Sequence, residues 1–328
     1  MRVTLGDVAE NAGVSQATAS RVLNGKNGVS HGTRSAVISA ANTLGYRRQR
    51  TTGGRVIGVV LPELVNPVFA TFAHRLATSL AQSGHTPVLC SQTVGGVSED
   101  VWVEMLLERD MAGLIVVSGQ HADTHTGSDR YQRLIDRHIP LVLVNGRVDG
   151  LDAVFVSDDD SSAMSLAVTH LKELGHERIG LAAGPAHYVP VIAKVRGFRA
   201  ALGSGKAPVE HSLFTIEGGR AAALALLERR VTAIVCASDL MALGAIEASR
   251  SRGLHVPRDV SIVGYDDSPM MAFTDPALTT VRQAVPAMCN VAVRALLEQV
   301  AGRPLPKQEY VFRPELVVRG STGAVRQR

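Results

Sequence analysis

From Val56 onward, short runs of β-branched and other apolar residues alternate with stretches of helical periodicity, a pattern that few folds accommodate. Repeated β-α-β units imply parallel sheets, so the expected fold class is α/β. Two comparable sets of units indicate two lobes, with a hinge formed by chain crossings near residues 145–160, 265–285 and 305–315. The predicted strands cover 56–61, 87–90, 114–117, 141–144, 153–156, 179–183, 209–214, 233–237 and 261–264, and the helices cover 67–83, 99–109, 161–174, 190–202, 219–229 and 240–252.

Polar residues follow several of these predicted strands. In open parallel sheets, ligands bind beyond the carboxyl ends of the strands, so these residues are candidates for a binding site. Each of them could instead be a turn residue or a helix cap, because loops are rich in Asn, Asp and Ser. The candidates are Glu63, Asn66, Ser91, Ser118, Asn145, Arg147, Ser238, Asp239 and Asp266.

The N-terminal segment has a different charge. Residues 1–55 contain eight Lys or Arg side chains and two acidic ones, whereas the net charge of all 328 residues is +4. A small basic module on a nearly neutral body indicates a polyanionic partner such as nucleic acid.

Residues 4–45 are predicted to form three short helices, capped by Thr4, Ser15 and Ser30. Gly13 suits a left-handed backbone between the first two helices, which together form a helix-turn-helix. A plain three-helix bundle with a solvated polar face is the alternative. The apolar residues expected to point inward are Leu5, Val8, Ala9, Ala12, Val14, Ala19, Val22, Leu23, Val37, Ala41 and Leu44. The outer face of the second helix is expected to carry Gln16, Ala17, Ser20, Arg21 and Asn24.

The segments VTLGDVAENAGVS (residues 3–15) and TASRVLNG (residues 18–25), with LGY at residues 44–46, resemble the head of lactose-repressor (LacI) family transcription regulators. The resemblance implies that the second helix reads operator bases, where Gln16 could pair with adenine and Ala17 could touch a thymine methyl group. The DNA-facing residues that it implies are Ser15, Gln16, Ala17, Ser20, Arg21 and Asn24. Those implied near the DNA backbone are Thr4, Leu5, Ser30, Thr33 and Tyr46.

The linker departs from the family pattern. Most relatives follow the tyrosine with a Pro-Asn pair and a short hinge helix that carries a leucine, and residues 47–55 lack all of these. We therefore expect a helix-turn-helix DNA-binding domain over 1–46, a flexible basic linker over 47–55 and an effector-binding and dimerisation domain over 56–328. The linker arginines Arg47, Arg48, Arg50 and Arg55 could touch phosphates or could only be solvated.

The motifs IGVV (57–60), LGHERI (174–179), SDLMALG (238–244) and GYDD (264–267) resemble the two-lobed, periplasmic-binding-protein-like effector domain of the same family. By that resemblance, Arg196 and Asp266 could hydrogen-bond sugar hydroxyls, and Phe69 could cover an apolar sugar face. Many relatives have Asn at position 238 and Asp at position 145, so purines and other metabolites remain alternatives to a sugar. The implied effector contacts are Asn66, Phe69, Asn145, Arg196, Ser238, Asp239, Asp266 and Gln283.

Other features exclude several classes of protein. No apolar run reaches about 18 residues, and the first residues lack an apolar signal-peptide core, so a cytoplasmic protein without a membrane segment is expected. Cys90, Cys236 and Cys289 are expected to be buried thiols. We find no phosphate-binding loop, catalytic motif or cofactor motif.

Two acidic or histidine-rich segments are interpreted as structural. His121 and His125 flank Asp123 at a spacing that could hold a metal on a helix, but the neighbouring Thr and Gly residues favour a solvated turn, so no metal site is expected. The run Asp158-Asp159-Asp160 is interpreted as a cap with acidic neighbours for the following helix.

The sequence therefore predicts a cytoplasmic, homodimeric, ligand-responsive transcription regulator, a repressor of small-metabolite genes, rather than an enzyme. Its expected partners are a roughly palindromic double-stranded DNA operator and a small effector, with a sugar as the default. A solute-binding receptor and a sugar- or nucleotide-processing enzyme with the same body fold are the alternatives. The operator sequence, the effector and the direction of its effect stay open.

Overall fold

The structure is a computed structural model that describes residues 3–23, 29–44, 55–92, 95–205 and 207–325. The chain divides into two units, a head of residues 1–54 and a body of residues 55–328.

The head contains three helices, α1 (Leu5–Asn11), α2 (Gln16–Leu23) and α3 (His31–Thr43). Thr4 caps α1 in a capping box: its Oγ1 accepts from the Asp7 amide at 3.3 Å, and its own amide donates to the Asp7 carboxylate at 2.7 Å. Gly13 has a φ of +64°, as a left-handed turn requires. The three predicted helices are confirmed, although Asn24 and Gly45, their expected ends, lie outside the described residues. The buried head core is Val8, Ala9, Ala19, Val22, Val37, Ala40 and Ala41.

In the body, strands and helices alternate as expected. In chain order the elements are β1 (Val56–Leu61), α4 (Pro67–Gln82), β2 (Thr86–Ser91), α5 (Glu99–Glu108), β3 (Gly113–Val117), α6 (Asp129–Asp136), β4 (Leu141–Val144), β5 (Val154–Asp158), α7 (Asp160–Glu173), β6 (Ile179–Ala183), α8 (Val189–Leu202), β7 (Val209–His211), α9 (Ile216–Glu228), β8 (Ala233–Cys236), α10 (Asp239–Ser251), β9 (Ser261–Asp266), β10 (Thr279–Arg282), α11 (Val285–Val300), β11 (Glu309–Phe312) and β12 (Glu315–Val317).

These strands form two six-stranded sheets, one in each lobe. The first has the order β11-β5-β4-β3-β1-β2 and the second the order β12-β10-β9-β8-β6-β7. Every pair is parallel except β10 with β12, which is antiparallel. Helices cover the sheets, so the central strands are buried on both faces. Their sequences are therefore continuous apolar runs. The α/β class with parallel sheets in two lobes is confirmed.

The chain passes between the lobes three times. It leaves the first sheet after β5, returns between β10 and α11, and crosses again between β11 and β12. All three crossings fall within the predicted intervals, and we call the region that they form the hinge.

Five elements were not among the predicted ones: α6, α11, β10, β11 and β12. The three strands have only three or four residues each, and α6 buries only Tyr131 and Leu134 among polar neighbours. The strands β5 and β9 also run further than predicted and end on Asp158 and Asp266. A charged residue at a strand end is easily interpreted as loop, because its burial depends on partners that are distant in sequence.

The three cysteines are buried and free, as expected. Among the described residues, the structure contains no helix that is both long enough and apolar enough to cross a membrane.

Candidate functional site

The first candidate surface is the exposed face of α2. Gln16, Ala17 and Arg21 are exposed and Ser20 is half-buried, whereas Ala19 and Val22 of the same helix are buried in the head core. The outward face predicted from the sequence is therefore confirmed for these four residues. The Ser15 hydroxyl accepts from the Thr18 amide at 3.2 Å and thus caps α2. Asn24 lies outside the described residues.

The predicted DNA-backbone contacts lie at helix ends of the head. Thr4 is exposed, and Ser30 is an exposed cap of α3 whose Oγ accepts from the Thr33 amide at 3.2 Å. Leu5 and Thr33 are half-buried. The N-terminus of α3 therefore presents hydroxyl groups together with the positive end of a helix dipole, which favours an anion such as phosphate. Tyr46 lies outside the described residues, as do the linker residues 47–54.

The second candidate site lies between the carboxyl edges of the two sheets. Asp123 follows β3 of the first lobe and forms an antiparallel bridge with Tyr188, which follows β6 of the second lobe. The Thr124 amide also donates to the His187 carbonyl at 3.0 Å. Because these residues follow the carboxyl ends of their strands, the two edges face each other across a cleft. Ligands of such sheets bind at these edges.

On the first lobe, some of the predicted residues cap helices and others lie near the cleft. Asn66 is buried and caps α4, because its Oδ1 accepts from the Val68 amide at 3.3 Å. Asn145 has a φ of +63° and donates from Nδ2 to the Ser118 hydroxyl at 3.1 Å. Phe69 is half-buried against the core of this lobe, and burial raises the pKa of the Glu63 carboxyl.

At the hinge, buried and half-buried polar groups from both lobes meet. We call Asp158, Asp160, Lys194, Tyr265, Asp266 and Gln283 the hinge cluster. Lys194 Nζ pairs with Asp160 and lies 3.8 Å from the centroid of the Tyr265 ring. The Tyr265 hydroxyl donates to Asp160 at 2.8 Å and to Asp158 at 3.1 Å. Asp158 is the last residue of a first-lobe strand, so these contacts join the lobes.

Charge in the hinge cluster is costly because the groups are buried. Burial and the neighbouring Asp160 carboxylate raise the pKa of Asp158 to about 7, although Lys194 opposes the shift. Burial raises the pKa of Asp266 well above its usual range, and its Oδ1 accepts from Gln283 Nε2 at 2.5 Å. Hydrogen bonds to a ligand are stronger in such an environment than in water, because the local dielectric is low.

Ser238 and Asp239 have structural partners inside the second lobe. Ser238 caps α10 by accepting from the Met241 amide at 3.2 Å. Asp239 is buried and accepts from the Thr280 hydroxyl at 2.6 Å and from the Ser268 amide at 2.7 Å. Both carboxylate oxygens of Asp239 therefore accept hydrogen bonds from residues of the same lobe. Burial nevertheless raises the pKa of Asp239 to about 7.

The structure does not bring Arg196 together with Asp266. Arg196 is exposed on α8, whereas Lys194, two residues earlier on that helix, is buried and faces the hinge cluster. Lys194, Tyr265 and the roles of Asp158 and Asp160 were not predicted from the sequence. A signal existed, because Lys194 shares the buried stripe of α8 with Val191 and Phe198. Asp159 is the cap in the acidic run, since its Oδ1 accepts from the Ser162 amide at 2.9 Å.

Two family models match separate parts of the chain. Residues 4–49 match the family described as bacterial regulatory proteins, lacI family, and residues 168–322 match a periplasmic binding protein-like domain. The HTH-type transcriptional regulator reg1 of Streptomyces lividans is 54% identical over 337 residues, which cover 99% of this chain and 98% of reg1.

Two solved structures are similar over nearly the whole chain. The transcriptional regulator CelR in complex with cellobiose has a TM-score of 0.73 and 32% identity, and the match covers 98% of this chain and 100% of that one. The lac repressor dimer bound to operator and the anti-inducer ONPF has a TM-score of 0.74 and 27% identity, covering 99% and 100%. Reg1 and CelR are named as transcriptional regulators, and the third relative is named as a repressor.

Proposed function

Because this chain belongs to the LacI family of bacterial regulatory proteins and is a transcriptional regulator, we propose that it is a carbohydrate-responsive repressor that binds its operator as a homodimer. The observation that carries the proposal is the exposed face of α2, where Gln16, Ala17 and Arg21 lie on one side of a helix in a helix-turn-helix. The relative bound to operator is a dimer, which supports a two-headed complex on a roughly palindromic site.

In this proposal, α2 lies in the major groove. Gln16 can pair with the N6 and N7 groups of an adenine, and Ala17 can contact a thymine methyl group. Each good base contact contributes about 1–3 kcal/mol of discrimination between bases. Arg21 adds positive charge on the same face, while the exposed caps Thr4 and Ser30 contact the phosphate backbone. Asn24 and Tyr46 complete the set that the family resemblance implies.

The effector in this proposal is a sugar that binds between the carboxyl edges of the two sheets. Support comes from the relative CelR, whose structure contains cellobiose, and from the polar residues at the carboxyl ends of the strands, such as Asn145, Asp266 and Gln283. The hinge cluster offers Lys194, Asp266 and Gln283 as partners for hydroxyl groups, and Asn145 and Phe69 lie on the opposite lobe. A sugar that contacts both lobes changes their closure and thereby couples effector binding to the heads.

Operator binding tests the proposal directly. Purified full-length protein is titrated with duplex promoter fragments from upstream of its own and adjoining genes, at several salt concentrations, with and without mono- and disaccharides including cellobiose. We expect one fragment to bind preferentially, with an affinity that falls as salt rises, because phosphate contacts release counterions. At least one sugar should change that affinity.

The matched variants are Arg21→Ala on α2 and Arg199→Ala on α8. Both remove one exposed arginine, so they change the net charge equally. R21A should lose at least about fivefold in operator affinity, which corresponds to one lost contact of about 1–3 kcal/mol, and R199A should bind like the unmodified protein. No fragment preference, or equal operator affinity in both variants, would contradict the proposal.

A further inference from the structure

A cluster of Asp123, His125 and His187 lies at the cleft, apart from the hinge cluster. Asp123 and His125 follow β3 in the first lobe, whereas His187 follows β6 in the second. One carboxylate oxygen and one nitrogen from each imidazole all lie within 4.8 Å of one another. His187 Nε2 is 3.8 Å from Asp123 Oδ2, and the two histidine rings stack with their centroids 4.5 Å apart. Three potential metal ligands thus converge from both lobes.

The local backbone holds these three residues in place. The His125 amide donates to Asp123 Oδ1 at 2.8 Å, so the other carboxylate oxygen is the one that lies near His187. Across the cleft, the Thr124 amide and hydroxyl both donate to the His187 carbonyl, at 3.0 and 2.8 Å. These hydrogen bonds therefore join the two sides of the cleft at the main chain of His187. The side chains of Asp123, His125 and His187 need only rotate to approach each other.

His121 does not take part in this cluster, although the sequence places it near Asp123. It is buried, and its Nε2 lies 3.0 Å from the Val144 carbonyl oxygen. Burial lowers its pKa to about 4. In the structure the second histidine near Asp123 is therefore His187, which is distant along the chain, and not His121.

We propose that Asp123, His125 and His187 bind a first-row divalent transition-metal ion that joins the two lobes. Two imidazoles and one carboxylate, with water as a fourth ligand, form a set that zinc accepts. Zinc–ligand bonds of about 2.0–2.2 Å place tetrahedral ligands roughly 3.4 Å apart, so ligand atoms that now lie within 4.8 Å of one another must close by up to about 1.4 Å. His125 is exposed and the other two are half-buried, so an ion can enter from solvent.

Such an ion affects how the lobes move. It contacts ligands from both lobes only when their carboxyl edges are together, so it binds that arrangement in preference to a separated one. A ligand that prefers one conformation raises the population of that conformation. The metal would therefore stabilise the joined cleft edges, and this effect does not depend on which sugar the cleft accepts.

The chain offers a matched control at His255. His255 Nδ1 lies 3.4 Å from Asp259 Oδ2, so this is also a histidine–carboxylate pair at the surface. However, the Arg258 guanidinium contacts both His255 and Asp259, and the described residues supply no third ligand there. A cation should therefore not bind at His255.

Zinc binding to metal-free, full-length protein tests the site. Isothermal titration with zinc alone is compared for the unmodified protein, His187→Ala, His125→Gln and His255→Ala. We expect one zinc ion per chain, at least about tenfold weaker binding in H187A and H125Q, and unchanged binding in H255A. H125Q changes an exposed side chain, so it answers the question even if H187A misfolds. Unchanged zinc affinity in H125Q would overturn the proposal.

Hydrogen exchange at the Thr124 amide tests the bridging role, because this amide donates to His187 across the cleft. Zinc should slow its exchange in the unmodified protein and in H255A, but not in H125Q. Zinc binding that depends on His125 and leaves Thr124 exchange unchanged would show that the ion does not join the lobes.

Discussion

Asp158 ends β5 where the chain leaves the first lobe, and its carboxyl is buried in the hinge cluster. Its Oδ2 accepts from the Tyr265 hydroxyl, while Asp160 lies close enough for its charge to disfavour a second carboxylate. The folded protein therefore holds a proton on Asp158 at pH values where the same group in an unfolded chain is ionised.

The stability of the protein should depend on this proton. The pKa of Asp158 is raised from 3.8 to about 7, so the unfolded chain releases its proton first as the pH rises. The stability contribution is complete below 3.8 and is lost as the pH rises towards 7. Asp158→Asn removes this titration, so its free energy of unfolding should fall less over that range than that of the unmodified protein. Urea unfolding at pH values across the range measures the difference.

Asp149→Asn is the control for this comparison, because the Asp149 side chain is 98% exposed. It should keep the unmodified pH dependence. Asp239 and Asp266 also have raised pKa values, so D158N should reduce the slope without abolishing it. An identical slope in D158N would show that Asp158 is ionised in the folded protein.

At the scale of elements, the backbones of α9 and α10 are in close contact at two glycines, Gly219 and Gly244. A Cβ on Gly244 would fall on the Ile216 carbonyl oxygen and 2.6 Å from the Arg220 amide nitrogen. A Cβ on Gly219 would meet the backbone of Met241. A glycine inside a helix lowers the stability of that helix. Two glycines at one interface therefore indicate that the two backbones must approach closely there.

Gly244→Ala should destabilise the body. Since the clash is with backbone atoms, the helices must move apart, and overpacking of this kind costs about 1–3 kcal/mol. We expect the midpoint of urea unfolding of the body to be lower in this variant. Circular dichroism measures the unfolding.

Gly32→Ala in α3 is the control for Gly244→Ala. Gly32 is also a helical glycine, and a Cβ added to it has nothing within 4 Å. It should stabilise its helix by about 0.5–1 kcal/mol. Equal or greater stability in G244A than in the unmodified protein would contradict the close packing of α9 and α10.

At the scale of the whole molecule, binding at the cleft and binding at the heads should be linked. If a sugar changes operator affinity by some factor, the operator must change sugar affinity by the same factor. The hinge cluster joins both lobes through Tyr265 and Asp158, so its charged groups are placed to sense closure. Within the proposed function, this makes Lys194 the residue to test.

Lys194→Gln keeps a donor for Asp160 but removes the buried positive charge. We expect it to weaken binding of the active sugar by at least about tenfold, because hydrogen bonds to charged groups contribute roughly 1.5–3 kcal/mol. Operator affinity without sugar should not change. Fluorescence titrations with sugar and with labelled operator measure both.

Arg196→Ala in the same assays distinguishes the contribution of Arg196 from that of Lys194, which lies on the same helix α8. The exposed side chain of Arg196 leads us to expect near-normal sugar binding in this variant. Loss of sugar binding in R196A with normal binding in K194Q would instead support the contact that the family resemblance implies.

Local patterns predicted much of this architecture. Short runs of β-branched and other apolar residues identified the strands β1, β4 and β6 with their observed bounds, and short-range signals located the caps Thr4, Ser15 and Ser30. These features depend on residues within a few positions of each other, so they can be inferred from the chain alone. The exposed face of α2 follows from helical periodicity.

The grouping of side chains at the cleft depends on the tertiary structure. Lys194 meets Asp160 from 34 positions away, and the Tyr265 hydroxyl reaches Asp158 from 107 positions away. His187 likewise joins Asp123 only because two sheets bring their carboxyl edges together. Helical and strand periodicity is a local property that amino-acid order encodes directly. Which charged groups become neighbours is decided by how the lobes fold and cross, and no local pattern specifies that.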